Sequence, residues 1–175
     1  MSIKLLKNTE FLSNVKEFYQ KYKKQVEDIV LFGSSVKGKE KPKDIDILLI
    51  FNKKEYTELN YQLKKSLKEF NVQIISKTKK SLLSDMFKAK ESYLSEGYSL
   101  ISKKSIAQIY GYSSVVLFKY ELTNLNKSKR VMFYYSLYGR GNRAGIIYKY
   151  KLKKFSDTII MSPINNSELV KEFLD

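Results

Sequence analysis

Two apolar, strand-like segments separated by a short polar spacer constrain the fold of this chain more than any other feature. The first segment, 28–32, ends directly in Gly33-Ser34-Ser35, and the second covers 44–51. Short apolar runs that end in glycine are typical of buried strands leading into tight turns. The intervening residues 36–43 are polar and include a glycine and a proline, so they predict a turn or loop. We therefore expect two strands connected by a tight turn and a polar loop.

The remaining periodicity predicts helices and further strands on both sides of this pair. In the first part of the chain we predict helices at 9–24, 56–70 and 79–96, the first capped by Asn8 or Thr9, and a third strand at 71–76. After Gly97 we predict helices at 105–112 and 167–174 and strands at 131–138 and 159–162, while 115–122 fits either type. This order predicts an α+β fold: a small mixed sheet with helices on one side, followed by a basic α/β C-terminal region. The predicted domains are 1–100 and 101–175.

The chain contains neither cysteine nor histidine. Disulfide bonds and thiolate metal sites are therefore excluded, as are the usual zinc ligands and the catalytic pairs that depend on histidine. Any metal ion must be held by oxygen atoms, which favours Mg²⁺ or Mn²⁺.

Asp44 and Asp46 lie two residues apart at the start of the second strand. Side chains at this spacing share one face of a strand, about 7 Å apart. Two carboxylates placed in this way repel each other unless a cation lies between them. Divalent ions held by such a pair can bridge the phosphates of a nucleotide and stabilise charge during phosphoryl transfer. Asp44 and Asp46 are therefore the predicted metal ligands and catalytic residues.

The Gly-Ser turn before the spacer is the predicted phosphate site. Gly33 allows the backbone to approach a triphosphate closely, and Ser34 offers both a hydroxyl group and an amide donor. Ser35 and Lys37 complete the predicted nucleotide-binding group.

These residues together resemble the DNA polymerase β superfamily of nucleotidyltransferases, and within it the minimal nucleotidyltransferases. That family has a hydrophobic strand ending in Gly-Ser, a spacer of about this length and an Asp-x-Asp strand with apolar flanks. Gly33 and Ser34 match the first motif, Asp44 and Asp46 match the second, and 37–39 lie in a spacer that often carries a basic residue and a glycine. The resemblance covers roughly 28–76 and implies a nucleotidyltransferase-like domain at 1–100 that uses a nucleoside triphosphate and Mg²⁺ or Mn²⁺.

One position departs from the family pattern. The family usually carries a third carboxylate at the centre of a later strand, and Gln73 stands there in the segment Val72-Gln73-Ile74. The resemblance implies that this third acid helps to bind the metal and accepts the proton of the attacking hydroxyl. An amide oxygen can still bind a metal ion, but it cannot act as that base. Glu69 and Asp85 are the nearby acids that could substitute for it.

The basic, aromatic-rich C-terminal region is a candidate nucleic-acid surface. The chain has 33 Lys and Arg against 18 Asp and Glu, a formal net charge of +15, and such a field attracts polyanions. Residues 122–156 include no acid and mix basic side chains with aromatic rings, which can stack on bases. The residues predicted to bind RNA or DNA are Lys129, Arg130, Tyr138, Arg140 and Arg143, the last two in a glycine-rich loop, 139–145. The alternative is a solvated lysine surface whose rings alternate between core and solvent.

Three functions remain open from the sequence. The preferred one is transfer of a nucleoside monophosphate from a nucleoside triphosphate to a nucleic-acid or protein acceptor. The second is a catalytically degenerate protein of the same fold that binds nucleic acid. The third is an antitoxin that modifies a partner toxin protein, as some minimal nucleotidyltransferases do. The longest apolar run, 45–51, is too short to span a bilayer, and residues 1–7 lack a signal-peptide core. We expect a cytoplasmic protein without membrane contact.

Overall fold

The computed structural model describes residues 4–38, 43–84 and 87–175. Its contacts divide the chain into two compact units, Met1–Ser113 and Ser114–Asp175. None of the helices within the described ranges combines the length and hydrophobicity needed to cross a membrane.

The first unit contains a five-stranded mixed sheet. Its elements are α1 (Thr9–Tyr22), β1 (Val26–Phe32), β2 (Ile45–Phe51), α2 (Thr57–Ser66), β3 (Val72–Thr78), α3 (Lys90–Glu96), β4 (Tyr98–Ser99), β5 (Lys104–Ser105) and α4 (Ile106–Ile109). The strand order is β3-β2-β1-β4-β5. β1 pairs with β2 and β4 in antiparallel fashion, whereas β2 and β3 are parallel. The predicted α+β fold with a mixed sheet is confirmed.

Both faces of the sheet are covered, which explains the continuous apolar sequence of β2. Ile45, Ile47 and Leu49 face one side, where α1 and α2 supply Phe11 and Leu63 to the main core. The opposite side carries a second cluster of buried residues: Val30, Phe32, Leu48, Ile50, Leu82, Phe87, Tyr93 and Ile106. The predicted placement of helices on one side describes α1 and α2, while the short helices α3 and α4 cover the other face.

The first helix begins where the sequence indicates. The side chain of Asn8 accepts a hydrogen bond from the backbone N–H of Phe11 at 2.9 Å, which satisfies one of the free donors at a helix N-terminus. Phe11, Val15 and Phe18 recur at helical spacing and are buried.

Among the described residues of the helix predicted at 79–96, only the last part is α-helical, as α3. At 78–81, side-chain hydroxyl groups accept hydrogen bonds from backbone N–H groups. Thr78 N–H donates to Ser81 Oγ at 3.1 Å, and Ser81 N–H donates to Thr78 Oγ1 at 3.2 Å. Such local bonds compete with a continuous helix, and a short 3₁₀ turn follows at Ser81–Leu83.

The contacts place the division of the chain after Ser113, whereas the sequence suggests a boundary near residue 100. The segment between these points contributes β5 to the sheet edge and buries Ile106 in the second cluster. β4 and β5 have only two residues each, so neither shows the alternation that identifies a strand.

The second unit packs three helices and two small sheets around its own core. Its elements are β6 (Val115–Lys119), α5 (Lys127–Tyr138), β7 (Gly139–Arg140), β8 (Arg143–Ala144), α6 (Ile146–Lys149), β9 (Lys153–Lys154), β10 (Ile159–Pro163) and α7 (Ser167–Leu174). β10 lies between β6 and β9, and β7 pairs with β8 as a separate hairpin. The buried core consists of Tyr120, Leu137, Leu152, Ile160 and Val170. The predicted strand at 159–162 and closing helix at 167–174 are confirmed.

The strand predicted at 131–138 is wrong, because this segment lies in helix α5. The side chain of Asn126 caps the helix by accepting from the backbone N–H of Lys129 at 2.9 Å. Phe133, Leu137 and Tyr138 then face the core at helical spacing. Aromatic residues favour strands by local propensity, but here they lie on a helix because one helical face packs against the core. The predicted glycine-rich loop is the β7–β8 hairpin.

Candidate functional site

The two aspartates of the predicted metal site lie at the entrance to β2, on the sheet face opposite α1 and α2. Ile45 and Ile47 point into the main core, so the alternation of the strand directs Asp46 to the other face. Asp46 is half-buried, and Leu48 continues the same side into the second cluster. Asp44 precedes the strand by one residue, and its charge acts on Asp46.

Burial raises the pKa of Asp46 above its ordinary value, and the nearby charges of Asp44 and Glu96 raise it further. A carboxylate that is drawn out of water beside like charges is stabilised by a cation. The electrostatics of this position therefore favour a bound positive charge.

The Gly33 turn lies directly against this carboxylate. Phe32 is the register partner of Asp46 across β1 and β2, and Gly33 then turns the chain with φ of +71°. A Cβ at this position would overlap Oδ2 of Asp46 and displace that carboxylate, and the positive φ itself favours glycine. Ser34 is half-buried and Ser35 is buried, within a 3₁₀ turn at Gly33–Ser35. The structure thus brings the predicted Gly-Ser turn and Asp46 into contact.

Lys37 is anchored beside the same site by an acid that sequence reasoning missed. Its Nζ lies 2.8 Å from Oε1 of Glu96, at the end of α3. The Lys37 side chain is 31% exposed, whereas that of Glu96 is only 13% exposed. Nothing in the sequence distinguishes Glu96 from other helical acids, because only tertiary packing brings it near Asp46. Lys39, which also belongs to the spacer, is outside the described residues.

Gln73 lies on the strand next to the one that carries Asp46. β3 runs parallel to β2 with Gln73 as the register partner of Asp46. The side-chain amide of Gln73 donates a hydrogen bond to Oδ2 of Asp44. Glu69 is highly exposed and lies near Lys68, and Asp85 is outside the described residues. Within 4–38, 43–84 and 87–175, no group of three acids could hold a metal ion.

The donor set nevertheless fits a hard divalent cation. Mg²⁺ commonly binds through one or two protein carboxylates and completes its coordination with substrate phosphates and water. Asp44 and Asp46 supply two carboxylates, and the amide oxygen of Gln73 stays available because its nitrogen makes the bond to Asp44. Burial and nearby like charges raise the pKa of Asp46, so a bound cation would stabilise its ionised form.

The predicted nucleic-acid residues of the second unit divide into two groups. Arg130 donates from Nε to the Leu125 carbonyl at 2.7 Å and from Nη2 to the Thr123 carbonyl at 3.0 Å, so its guanidinium holds the segment before α5. Tyr138 is half-buried in the core and stacks on Tyr134. Lys129 is exposed.

Arg140 and Arg143, by contrast, are exposed and lie opposite each other in the β7–β8 hairpin. The Arg140 guanidinium carbon is 4.7 Å from the centroid of the Tyr135 ring, a residue that sequence reasoning did not select. The structure therefore brings Arg140 and Arg143 together and assigns Arg130 and Tyr138 to internal contacts.

The mixed sheet, with a Gly-Ser turn set against a strand that begins between two aspartates, defines the first unit as a nucleotidyltransferase fold. A family model for the polymerase beta nucleotidyltransferases matches residues 13–105, more than half of the 175 residues. The chain belongs to this family, which confirms the resemblance inferred from its motifs.

No curated protein matches the chain significantly. Among solved structures, the chain is similar to one described as the crystal structure of a toxin-antitoxin with AMP-PNP. The sequence identity is 18% and the TM-score is 0.40, over 51% of this chain and 71% of that chain.

Proposed function

We propose that the first unit binds a nucleoside triphosphate with Mg²⁺ or Mn²⁺ and transfers its nucleoside monophosphate to an acceptor. The observation that carries this proposal is the contact between the Gly33 turn and Asp46. It sets a backbone surface that can approach phosphates directly beside a carboxylate that favours a cation. Family membership supports the same reaction class.

Each residue of the site has a defined role in this proposal. Asp44 and Asp46 hold the metal ion, which supplies neutralisation of phosphate charge when bound. Ser34 and the turn amides donate hydrogen bonds to the triphosphate. Lys37 presents its ammonium group, positioned by Glu96, to the phosphates.

In the transfer step, a hydroxyl oxygen of the acceptor forms a bond to the α-phosphorus while the bond from that phosphorus to the bridging oxygen breaks. The electron pair leaves with pyrophosphate. The hydroxyl proton passes to solvent, because Gln73 carries no basic group that could accept it. The acceptor is a nucleic acid or a protein, and the antitoxin hypothesis corresponds to a hydroxyl group on a toxin partner.

A specific observation favours a second candidate, a degenerate protein that binds nucleotide or nucleic acid without transfer. Gln73 replaces the expected third carboxylate and bonds to Asp44. The site would then retain the charge needed to hold a metal–nucleotide complex but lack the base that activates the acceptor.

Calorimetric titration with each nucleoside triphosphate and Mg²⁺ tests the shared first step. Wild type is compared with Asp44→Asn/Asp46→Asn and with the control Glu17→Gln/Glu58→Gln, which removes two exposed charges from α1 and α2. Metal-dependent binding that disappears only in the aspartate variant supports the site. Absence of binding to folded wild type would overturn both candidates.

Transfer itself is measured with a triphosphate labelled at the α-phosphorus, incubated with cell extract. Label in a macromolecule that depends on Asp44 and Asp46 supports the transferase. Binding without any incorporation of label supports the degenerate protein.

A further inference from the structure

The β7–β8 hairpin places two arginine side chains side by side. Arg140 and Arg143 are direct register partners, joined by the two-residue turn Gly141-Asn142. Gly141 has φ of +56°, as the first central position of such a turn requires. Side chains paired directly across strands have Cβ atoms about 4.5–5.5 Å apart, and like charges there destabilise the pair. An anion bound between the two arginines would remove this repulsion.

Tyr135 fixes the orientation of one member of the pair. The backbone carbonyl of Tyr135 accepts from the N–H of Gly139, which ties the hairpin to the end of α5. The Arg140 guanidinium lies over the Tyr135 ring, 4.7 Å from its centroid, and residue Tyr135 as a whole is 41% exposed. Stacking of this kind holds the planar donor fork in one orientation.

A concave surface surrounds these groups. Its volume is about 640 Å³, and it is lined by Tyr135, Ser136, Arg140, Gly141, Asn142, Arg143 and Ala144. One turn earlier on α5, Met132 is 64% exposed and Val131 is 40% exposed. The cationic hairpin therefore continues into an exposed apolar and aromatic strip on the same helix.

Nothing acidic balances this charge within the region. Residues 122–156 contain no acid. The ion pairs found in the described part of the second unit are Lys119–Glu121 and Lys154–Asp157, and neither includes an arginine. Paired guanidinium groups without counter-charge, next to exposed rings, fit a ligand that has both phosphates and flat apolar faces.

We propose that Arg140, Arg143 and Tyr135 form a binding site for single-stranded nucleic acid. The two guanidinium groups bind backbone phosphates, and bases stack on the ring of Tyr135 and the neighbouring apolar strip. This site does not depend on the reaction proposed for the first unit. If that reaction occurs, we expect its acceptor to be a single-stranded nucleic acid.

Binding of fluorescent single-stranded probes of about 12 nucleotides, one RNA and one DNA, tests the proposal by anisotropy between about 50 and 200 mM salt. The slope of log affinity against log salt falls by about 0.7 for each single-strand phosphate that the protein no longer neutralises. Arg140→Gln/Arg143→Gln should therefore lower the slope by about 1.4. Removing two like charges that face each other should leave the unit at least as stable, which thermal unfolding checks.

Two further variants separate a defined site from diffuse attraction. Lys64→Gln/Lys65→Gln removes the same charge from exposed positions on α2 and should change the slope much less. Tyr135→Leu should weaken binding about tenfold, because bases no longer stack on the ring and Arg140 loses the contact that orients it. The slope should fall less than in Arg140→Gln/Arg143→Gln, because both charges remain.

Equal effects of the arginine and lysine variants would overturn the proposal, as would the failure of wild type to bind either probe. Competition by polyglutamate as effective as by the unlabelled probe would also overturn it, indicating a site for an acidic protein. The same titration on Asp44→Asn/Asp46→Asn separates the two proposals. If this variant binds the single-stranded probes as wild type does, the hairpin site is independent of nucleotide binding at the first unit.

Discussion

The side-chain amide of Gln73 donates a hydrogen bond to Oδ2 of Asp44, and Gln73 is also the register partner of Asp46. A neutral donor thus lies directly beside the two aspartates. The two aspartates keep one favourable interaction without a metal ion, because an amide stabilises a neighbouring carboxylate that another acid would repel.

Replacing Gln73 with Asp should make the stability of the first unit depend on metal. The variant loses the hydrogen bond to Asp44 and adds a like charge, at a cost of about 1 kcal/mol without metal. This corresponds to a melting temperature lower by roughly 4 °C in a chelating buffer. Mg²⁺ should reverse the loss, which thermal unfolding with and without the ion measures.

Gln73→Leu is the matched control, since it removes the hydrogen bond without adding charge. Its stability should respond to Mg²⁺ no more than that of wild type. If the two variants respond equally, Gln73 does not lie within the electrostatic range of the aspartate pair.

Gly33→Ala should abolish nucleotide binding and destabilise the first unit. The added Cβ overlaps Oδ2 of Asp46 and sits at φ of +71°, a conformation that alone costs roughly 1–2 kcal/mol in residues other than glycine. Gly111→Ala isolates that conformational cost, because Gly111 has φ of +80° and its Cβ would meet no atom within 4 Å. Urea denaturation should show a larger loss of stability at Gly33, and calorimetry should show that only this variant fails to bind nucleotide. Equal losses of stability would mean that the overlap with Asp46 adds nothing.

The Lys37–Glu96 ion pair should respond asymmetrically to removal of its two partners. Lys37→Gln leaves Glu96 without its ion-pair partner, although the Glu96 side chain is only 13% exposed and lies near Asp46. An unpaired charge of this kind lowers the free energy of unfolding by about 1–3 kcal/mol. Glu96→Gln leaves a lysine that is 31% exposed and can turn toward solvent, so it should cost less than about 1 kcal/mol. Urea unfolding of both variants measures the difference. A larger loss of stability from Glu96→Gln would contradict this account.

Asp28 should make the protein less stable as the pH rises from about 4 to about 6. Burial raises the pKa of Asp28 from 3.8 to about 6, Glu27 raises it slightly, and hydrogen bonds from Ser99 and the Ile29 N–H oppose the shift. The folded state therefore binds more protons than the unfolded state in this window, and stability falls with pH. The loss is complete above the folded-state pKa and amounts to at most about 3 kcal/mol.

Asp28→Asn should remove that pH dependence, because an amide does not titrate in this range. The fold should tolerate the change, because the amide oxygen can still accept both hydrogen bonds. Urea denaturation of the two proteins across this pH range gives the comparison. Asp157→Asn is the control of opposite sign: Lys154 lowers the pKa of Asp157, so wild type gains stability from this residue at high pH and loses that gain as the pH falls. Parallel curves for wild type and Asp28→Asn would refute the assignment.

The sequence predicts the part of the site that depends on local pattern. The apolar strand, the Gly33 turn and the spacing of Asp44 and Asp46 all lie within a short stretch, and the capping residue Asn8 is equally local. The placement of Gln73 beside Asp46 is also predictable, because β3 adds directly to β2.

What the sequence does not reveal depends on distant packing. Glu96 reaches Lys37 only because α3 covers the sheet face that carries Asp46. The aromatic residues of α5 favour a strand by local propensity, although they also fit a helix. Only the packing of Phe133 and Leu137 against the core distinguishes the two structures. The Arg140–Tyr135 contact depends in turn on that helix ending at Gly139.

Gln73 lies on β3, the outermost strand on its side of the sheet, with its side chain exposed. Exchange of an amide for an acid at this position disturbs no buried contact of the core. The charge beside the two aspartates can therefore change in evolution by a single substitution, without any compensating change in the interior. An amide and an acid can alternate at this position while selection on the core of the fold stays the same.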